Sequence, residues 1–358
     1  MIIKSLNLTN FRNHKKTKLV FDENVNLLIG DNGVGKTNIL EAIHLLATSH
    51  SFRAKYDSDL ISHHQEFTLI EAVISTQNEE DRVQMQIQRT PRSDKTSVKK
   101  VKINNVTKSL GSFTHHLKSV LFSPEDIDII TGPPSLRRRL IDSALFQVEP
   151  KYKLYSVDYH KALRRRNKVL ELISETGRGE EQLPFWNSKI LELGEYIQQK
   201  RAGLLAYFNQ FFRSAKNPYS KYSKGLDTTY EQNLLDTKSL LEYKSREIAA
   251  KTTLVGPHRD DFILYLQQKD MSQFASRGEQ RTAMFLMKLA EFNYIHQELG
   301  VKPILLLDDI FSELDPEHRE AILNFASEQQ TIITTSSQTE LPEPLISKVI
   351  HLPLSKSG

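Results

Sequence analysis

Apolar and polar residues alternate in the N-terminal third of the chain, and this pattern predicts β-strands. The alternation runs through Ile2–Leu8, Thr68–Ile74 and Val83–Gln88. One stretch differs, because from Thr37 to Leu46 the apolar residues recur at positions 39, 40, 43 and 46, which is the spacing of one helix face. Residues 1 to about 122 are therefore predicted to form strands around one helix.

The middle of the chain has a helical pattern from Glu125 to about Ala250. Its two long segments are Tyr152–Ile173 and Leu183–Phe212, separated by a glycine-containing break at Thr176–Gly179. Strand patterns return from Thr252 onward. The predicted fold class is α/β, with two lobes: residues 1–122 and 300–358 form lobe I, and residues 123–299 form a mostly helical lobe II.

Composition narrows the classes of function. The 358-residue chain has a net charge of only +4, so local patches rather than a global field must select a partner. It contains no cysteine, which excludes disulfides, thiol catalysis and cysteine–zinc sites. No run approaches the roughly 18 apolar residues of a membrane span, and the N-terminal residues lack a signal-peptide core. We expect a soluble, cytoplasmic protein with no membrane partner.

A glycine-rich segment lies between a predicted strand, Val25–Ile29, and the predicted helix. It fits the pattern G-x-x-x-x-G-K-[ST], and strand–loop–helix is the context in which such a loop cradles phosphates on its backbone amides. Lys36 is expected to reach the β- and γ-phosphates of a nucleoside triphosphate, and the Thr37 hydroxyl is expected to bind Mg²⁺. The predicted nucleotide contacts are Gly30, Asp31, Asn32, Gly33, Val34, Gly35, Lys36, Thr37 and Asn38.

A second acidic site follows the apolar run Ile304–Leu307. Such a run reads as a central parallel strand, whose carboxyl end lies at the edge where open α/β sheets bind ligands. We predict that Asp308 holds Mg²⁺ and that Asp309 polarises the attacking water as a general base. The predicted catalytic residues are thus Lys36, Asp308 and Asp309.

Two further motifs flank this strand. Ser276–Arg281 precedes a long helical run, and Ser312–Asp315 precedes Pro316, which is expected to begin the next helix. The first resembles the signature motif of ABC-type ATPases, and the second resembles their D-loop. This resemblance implies a composite site, in which Ser276, Gly278, Glu279 and Gln280 of one protomer cap the nucleotide of another, with Ser312 and Asp315 in the D-loop.

Within that class the chain resembles the RecF family of bacterial recombination mediators, a family of the SMC-like ATPases. The landmarks are Leu8–Asn13, Gly33–Ile43, Phe122–Asp126, Gly132–Pro134 with Arg137–Arg139, Gly256–Phe262 and Leu307–Asp315. The resemblance implies an ABC-type head without a long coiled-coil arm. It implies binding of ATP and Mg²⁺, ATP-dependent homodimerisation and slow hydrolysis that resets the dimer. It also implies a role in the repair of DNA gaps, in the cytoplasm and in association with the nucleoid. The protein would bind duplex DNA and single-strand/duplex junctions and, with RecR, help to load RecA. In related heads an arginine at the position of Arg12 lies near the nucleotide.

Two expected features of ABC-type ATPases are absent from this sequence. No glutamine occurs near Ser123–Asp126, where a glutamine loop would fall, and Ser336–Gln338 stands where a switch histidine would follow a strand. The sequence therefore does not identify the residue that senses the γ-phosphate.

Two basic clusters are predicted to bind DNA phosphates. Residues 82–108 hold eight lysines and arginines against one acid, and a second cluster lies in the helical pattern of residues 161–168. Such surfaces give binding that depends steeply on salt and little on base sequence; the alternative is a solvated basic face. The candidate contacts are Arg89, Lys99, Lys100, Lys102, Arg164, Arg165 and Arg166.

Three other functions remain open. A monomeric P-loop NTPase or kinase would turn over nucleotide without Ser276, and a transporter-type ATPase subunit would need a membrane partner. An SMC-like structural head is disfavoured because the helical middle, about 125 residues, has no room for a long arm.

Overall fold

The computed structural model describes residues 1–76, 79–90, 93–114, 116–214, 219–313, 316–336 and 346–352, without the side chains of residues 93–95, 312–313 and 316–318. In these ranges the strands are β1 (Ile2–Phe11), β2 (His14–Val20), β3 (Val25–Ile29), β4 (Phe67–Thr76), β5 (Glu79–Thr90), β6 (Ser93–Ile103), β7 (Val106–Lys108), β8 (Ser119–Phe122), β9 (Leu226–Glu231), β10 (Asp261–Leu266), β11 (Lys269–Asp270), β12 (Ile304–Asp308), β13 (Thr331–Thr335) and β14 (Lys348–His351).

The helices of the same ranges are α1 (Lys36–Thr48), α2 (Leu110–Phe113), α3 (Asp128–Thr131), α4 (Pro134–Val148), α5 (Pro150–Thr176), α6 (Leu183–Arg213), α7 (Thr237–Ala250), α8 (Met271–Phe274), α9 (Arg277–Leu299) and α10 (Pro316–Ala326). The two long predicted helical segments lie within α5 and α6, and the predicted helix start at Pro316 is confirmed. Short 3₁₀ turns cover Asp57–Leu60, Pro124–Ile127, Glu180–Gln182, Pro257–Arg259 and Ile310–Glu313. Among the described helices, none combines the length and apolarity that crossing a membrane requires.

The chain divides into two compact units. Unit 1 comprises residues 1–126 and 291–358, and unit 2 comprises residues 127–290. The first division falls four residues after the predicted boundary at 122/123, and the second falls within α9 rather than at 299/300.

Unit 1 contains a parallel sheet with the strand order β14–β3–β13–β12–β8 among the described residues. All side chains of β12 and β13 are buried, as expected for central parallel strands. Helix α1 is buried along nearly its whole length, including Ile39, Leu40 and Ile43. Because β3 and β12 run parallel on either side of β13, their carboxyl ends meet at one edge of the sheet, where the chain enters α1 and Asp308 lies.

The second sheet of unit 1 is antiparallel, in the order β2–β1–β4–β5–β6–β7. Its side chains alternate between a buried face and a solvent-facing one, as the sequence pattern predicts. On β5, Val83, Met85 and Ile87 are buried in the core. On the opposite face, Lys100 and Lys102 of β6 are exposed and pair in register with glutamines of β5.

Unit 2 contains helices α3 to α8 and a sheet with the order β11–β10–β9 in its described part. The helices are anchored by buried ion pairs. Arg201 of α6 contacts Asp142 of α4 and the fully buried Asp260, and Arg137 of α4 forms an ion pair with Asp261 of β10. Because a buried charge without its partner costs several kcal/mol, these pairs fix which helices meet.

Two of the predicted DNA contacts are wrong. Arg166 on α5 has a side chain only 1% exposed, and it forms an ion pair with the buried Glu247 of α7 at 2.6 Å. Lys99 lies on the core-facing side of β6, 9% exposed, and its Nζ contacts Asp57 and donates to the carbonyl oxygen of Ser49. Both charges are neutralised inside the fold, so neither can reach a DNA phosphate.

Candidate functional site

The segment between β3 and α1 has the backbone geometry of a phosphate-binding loop. Gly33 and Gly35 have positive φ angles of 82° and 108°, a region that favours glycine. A Cβ at Gly35 would lie 2.5 Å from Nε2 of His14, so this position also has no room for a side chain. No side chain caps the N-terminus of α1, and its first backbone amides are therefore available to an anion.

The positively charged side chain of Lys36 is hydrogen-bonded within the loop. Lys36 is only 7% exposed, and its Nζ donates to the carbonyl oxygens of Gly30 at 2.5 Å and Asp31 at 3.1 Å. At the tip of the loop, Asp31, Asn32 and Gly33 are exposed. An ammonium group held within the loop, next to uncapped helix amides, fits a polyphosphate that would replace the carbonyls as its partner.

Thr37 and Asp308 meet as the sequence predicts. Oδ1 of Asp308 accepts hydrogen bonds from Oγ1 of Thr37 at 2.9 Å and from Oγ1 of Thr334 at 2.7 Å. Asp308 is only 5% exposed, and burial raises the pKa of its carboxyl, although the two hydroxyl groups act in the opposite direction. Within the described residues, no hydrogen bond reaches Oδ2 of Asp308.

These groups fit a magnesium ion. Burial disfavours the charge of the Asp308 carboxylate, and a bound cation would offset that cost. A hydroxyl and a carboxylate are oxygen ligands that Mg²⁺ takes beside phosphates and water. No group of three or more His, Asp or Glu side chains in the described part of the chain could hold a metal by itself. Thr37 and Asp308 would therefore hold Mg²⁺ together with oxygens of the bound nucleotide.

The strand next to Asp308 supplies a residue that the sequence analysis missed. Thr334 of β13 donates to Asp308, and its Oγ1 accepts a hydrogen bond from the amide of Asp309 at 3.0 Å. Asp309 has a positive φ angle of 48°, so the chain turns sharply where the strand ends. Thr334 thus contacts both acidic residues, through the carboxylate of Asp308 and the backbone amide of Asp309. The only signal for it in the sequence is a hydroxyl residue near the end of a neighbouring apolar run.

Arg12 lies close to the loop but its charge is already paired. Its Nε and Nη2 donate to the two carboxylate oxygens of Glu41 at 2.8 and 2.7 Å, and Nη1 donates to the carbonyl oxygen of Asp59. Glu41 is fully buried on α1 and was missed in the sequence because it falls within an apolar run. A contact of Arg12 with nucleotide stays a prediction. Asn13 and His14, which follow Arg12, also contact the loop and were not predicted to do so.

In unit 2 the predicted signature motif forms the start of α9. Ser276 and Glu279 form a capping box: the Ser276 amide and hydroxyl donate to Oε2 of Glu279 at 2.8 Å, and the Glu279 amide donates back to the hydroxyl. These bonds lower the pKa of the Glu279 carboxyl. Ser276 and Gly278 are exposed, and open space surrounds the Gly278 backbone.

Gln280 requires a correction. Its side chain is buried and donates to the carbonyl oxygens of Met271 and Ala275 at 3.3 Å, so it holds the preceding turn rather than facing a partner. The structure does not describe the side chains of the two predicted D-loop residues, Ser312 and Asp315, or Gln338, which stands near the position of the missing switch histidine. Asp315 and Gln338 lie outside the described residues, and only the backbone of Ser312 is described, in a 3₁₀ turn.

Comparison with known proteins gives the family. The family model of the RecF/RecN/SMC N terminal domain matches residues 2–351 of the sequence. The DNA replication and repair protein RecF of Oenococcus oeni is 34% identical, over 97% of this chain and 96% of its own length. Two solved structures of the recombination mediator protein RecF, one of them with ATP, are 32% identical to this chain, with a TM-score of 0.83. Each match covers 95% of this chain and at least 93% of the solved chain.

The fold and the loop thus define an α/β head of the SMC/ABC ATPase superfamily, without a long coiled-coil arm. Within that superfamily the chain belongs to the RecF family.

Proposed function

We propose that this chain binds Mg-ATP at the loop before α1 and uses it as a conformational switch in DNA repair. The carrying observation is one juxtaposition: an uncapped helix N-terminus, the ammonium of Lys36 and the Thr37–Asp308 pair lie at a single edge of the parallel sheet. Lys36 would bind the β- and γ-phosphates, Thr37 and Asp308 would hold Mg²⁺, and Asp309 would orient the attacking water. The solved RecF–ATP complex supports the choice of nucleotide.

The wider role follows from family membership. RecF relatives are DNA replication and repair proteins, and the solved neighbours belong to the RecFOR pathway. The protein would be cytoplasmic and associated with the nucleoid, and it would dimerise when ATP binds. It would bind duplex DNA and single-strand/duplex junctions and assist the RecR-dependent loading of RecA at gaps. Slow hydrolysis would reset the dimer. The exposure of the capping residue Ser276 supports the dimer, because a second copy could contact this helix start.

Lys36→Ala tests nucleotide binding. We expect the affinity for a fluorescent ATP analogue, measured by titration with Mg²⁺, to fall about 10- to 100-fold, because hydrogen bonds to a charged group contribute roughly 1.5–3 kcal/mol. Lys15→Ala, at an exposed lysine of β2, is the control and should bind as the native protein does. Equal affinity of Lys36→Ala and native protein would contradict the proposed site.

The exposed cations of α5 form a candidate surface for DNA. Lys161, Arg164, Arg165 and Lys168 line one groove of about 360 Å³ and are exposed. Their spacing of three, four and seven residues places them on one helix face over roughly 10 Å. Among the described residues, no carboxylate lies within 4 Å of Arg164, Arg165 or Lys168. Three cations in a row fit the phosphates of a DNA backbone.

Neutralising these three residues tests the surface. The triple variant Arg164→Gln, Arg165→Gln, Lys168→Gln should bind duplex DNA more weakly at every sequence, and the slope of log affinity against log salt should decrease by about 2–3. Fluorescence anisotropy at several salt concentrations measures both. The control changes Lys189, Lys238 and Lys251 to Gln, since each already faces a carboxylate. An unchanged slope in the first variant would place the DNA elsewhere.

A further inference from the structure

The turn between β1 and β2 contacts the phosphate loop and α1 with three consecutive side chains. Strand β1 ends at Phe11 and β2 begins at His14, so the connection is only Arg12 and Asn13. Arg12 has a positive φ angle of 53° and reaches Glu41 of α1. Asn13 and His14 contact the loop itself. A backbone conformation that is costly for arginine is thus retained where the hairpin meets the loop.

Both polar atoms of the Asn13 side-chain amide form hydrogen bonds with the segment that contains the loop and the start of α1. Its Nδ2 donates to the carbonyl oxygens of Gly33 at 3.3 Å and Val34 at 3.1 Å, and its Oδ1 accepts from Nδ2 of Asn38 at 2.9 Å. One side chain therefore connects the tip of the loop to the first turn of α1.

His14 binds the next peptide group. Its Nε2 lies 3.1 Å from the carbonyl oxygen of Gly35, and its Nδ1 lies 3.0 Å from Oγ1 of Thr17. Because a carbonyl only accepts, Nε2 is the protonated nitrogen, and Nδ1 can accept from the threonine hydroxyl. His14 is only 7% exposed, and burial lowers its pKa, which favours this neutral form.

These contacts help to hold the direction in which the loop amides point, together with the first hydrogen bond of α1, in which the amide of Ile39 donates to the carbonyl oxygen of Gly35 at 3.2 Å. In a trans peptide the carbonyl and the following N–H point in opposite directions. Holding the carbonyls of Val34 and Gly35 toward the turn therefore directs the amides of Gly35 and Lys36 away from it, toward the anion side of the loop. The packing leaves little slack, because a Cβ on Gly35 would lie 2.6 Å from Oδ1 of Asn13. A concave row of aligned amides is an anion site only while this orientation is held.

We infer that Asn13 and His14 are positioning residues that hold the phosphate loop in its binding conformation before a triphosphate arrives. The inference rests on the proposed binding of ATP at this loop. Neither residue needs to touch the nucleotide, since they act through the carbonyls of residues 33–35. Their removal should weaken phosphate binding by loosening the loop.

Variants that separate hydrogen bonding from volume test the inference. His14→Leu, which removes the donor, should lower ATP affinity about 5- to 10-fold, as expected for one lost hydrogen bond. His14→Gln, whose Nε2 can still donate to Gly35, should stay within about 3-fold of the native protein. Asn13→Ala should lower affinity about 10-fold, and Asn13→Asp should lower it further, because its carboxylate faces two carbonyls.

The readouts are titration of a fluorescent ATP analogue, competition by inorganic triphosphate, and the thermal unfolding midpoint without nucleotide. We expect both affinities to fall together in Asn13→Ala and His14→Leu while the midpoint stays within about 2 °C. Asn7→Ala, on β1 but on the solvent-facing side of the sheet, is the control. Native affinity in Asn13→Ala, or equal losses in His14→Gln and His14→Leu, would overturn the inference. If native protein and Lys36→Ala bind triphosphate equally, the proposed function fails first and the inference fails with it.

Discussion

Replacing Asp308 with asparagine is expected to abolish Mg-dependent ATP hydrolysis while making the nucleotide-free protein more stable. Asparagine keeps an acceptor for the hydroxyls of Thr37 and Thr334 but removes the negative charge that would hold Mg²⁺. We expect hydrolysis to fall about 100-fold or more, since the metal stabilises charge that develops in the transition state.

The gain in stability follows from the sign of the pKa shift. The folded state raises the pKa of Asp308, so its charged form costs folding free energy at neutral pH, and that cost vanishes as the pH falls below the pKa of the unfolded chain. A neutral asparagine side chain at this position would carry no such cost. The thermal unfolding midpoint of the nucleotide-free variant at pH 7 should therefore exceed that of the native protein, and the difference should shrink toward pH 4.

Phosphate release and thermal unfolding measure the two effects. Asp309→Asn should also reduce hydrolysis, because this carboxylate is proposed to orient the attacking water. A lower unfolding midpoint in Asp308→Asn would contradict the interpretation that the burial of this carboxylate costs stability, and full hydrolysis would exclude it from the metal site.

Replacing Ser276 with arginine is expected to leave ATP binding intact and to prevent the ATP-dependent dimer. Ser276 is exposed at the start of α9 and its hydrogen bonds are to Glu279 of the same helix, so we expect nucleotide affinity in one protomer not to change. In the proposed dimer this serine meets the γ-phosphate of the other copy, where a long side chain would not fit. We expect the dimer dissociation constant with ATP to rise at least about 100-fold.

Sedimentation with and without ATP measures this change. Ser276→Ala removes the capping hydroxyl without adding bulk, so it shows how much of the effect comes from the helix cap, which contributes about 1 kcal/mol. Ser174→Arg, on the exposed surface of α5, controls for the added charge. ATP-dependent dimers of normal strength in Ser276→Arg would rule out the composite site and favour a monomeric NTPase.

The parts that the sequence predicts well are local. The loop and α1 follow from glycines, a lysine and a helical period within about twenty residues. Asp308 follows from a run of apolar residues that is typical of a central parallel strand. In each case the physical cause lies in neighbouring residues, so the printed sequence contains it.

The parts that it misses depend on distant partners. Arg166 reads as one of three equal arginines until Glu247, 81 residues later, is found beside it. Lys99 is a lysine on the buried face of a strand, tolerated because Asp57 neutralises it. Thr334 and His14 carry no charge pattern at all, and their roles arise only when β13 and the β1–β2 turn are packed against the loop and the acids.

The ion pair of Arg166 with Glu247 has a consequence for the neighbouring arginines. Arg166 is buried within unit 2, and its ion pair helps to fix the orientation of α5, in which Arg164 and Arg165 face solvent. Glu247 of α7 thereby influences the orientation of Arg164 and Arg165, with which it forms no ion pair. In related chains the residues at 166 and 247 should be retained or lost together, whatever becomes of the outward-facing pair.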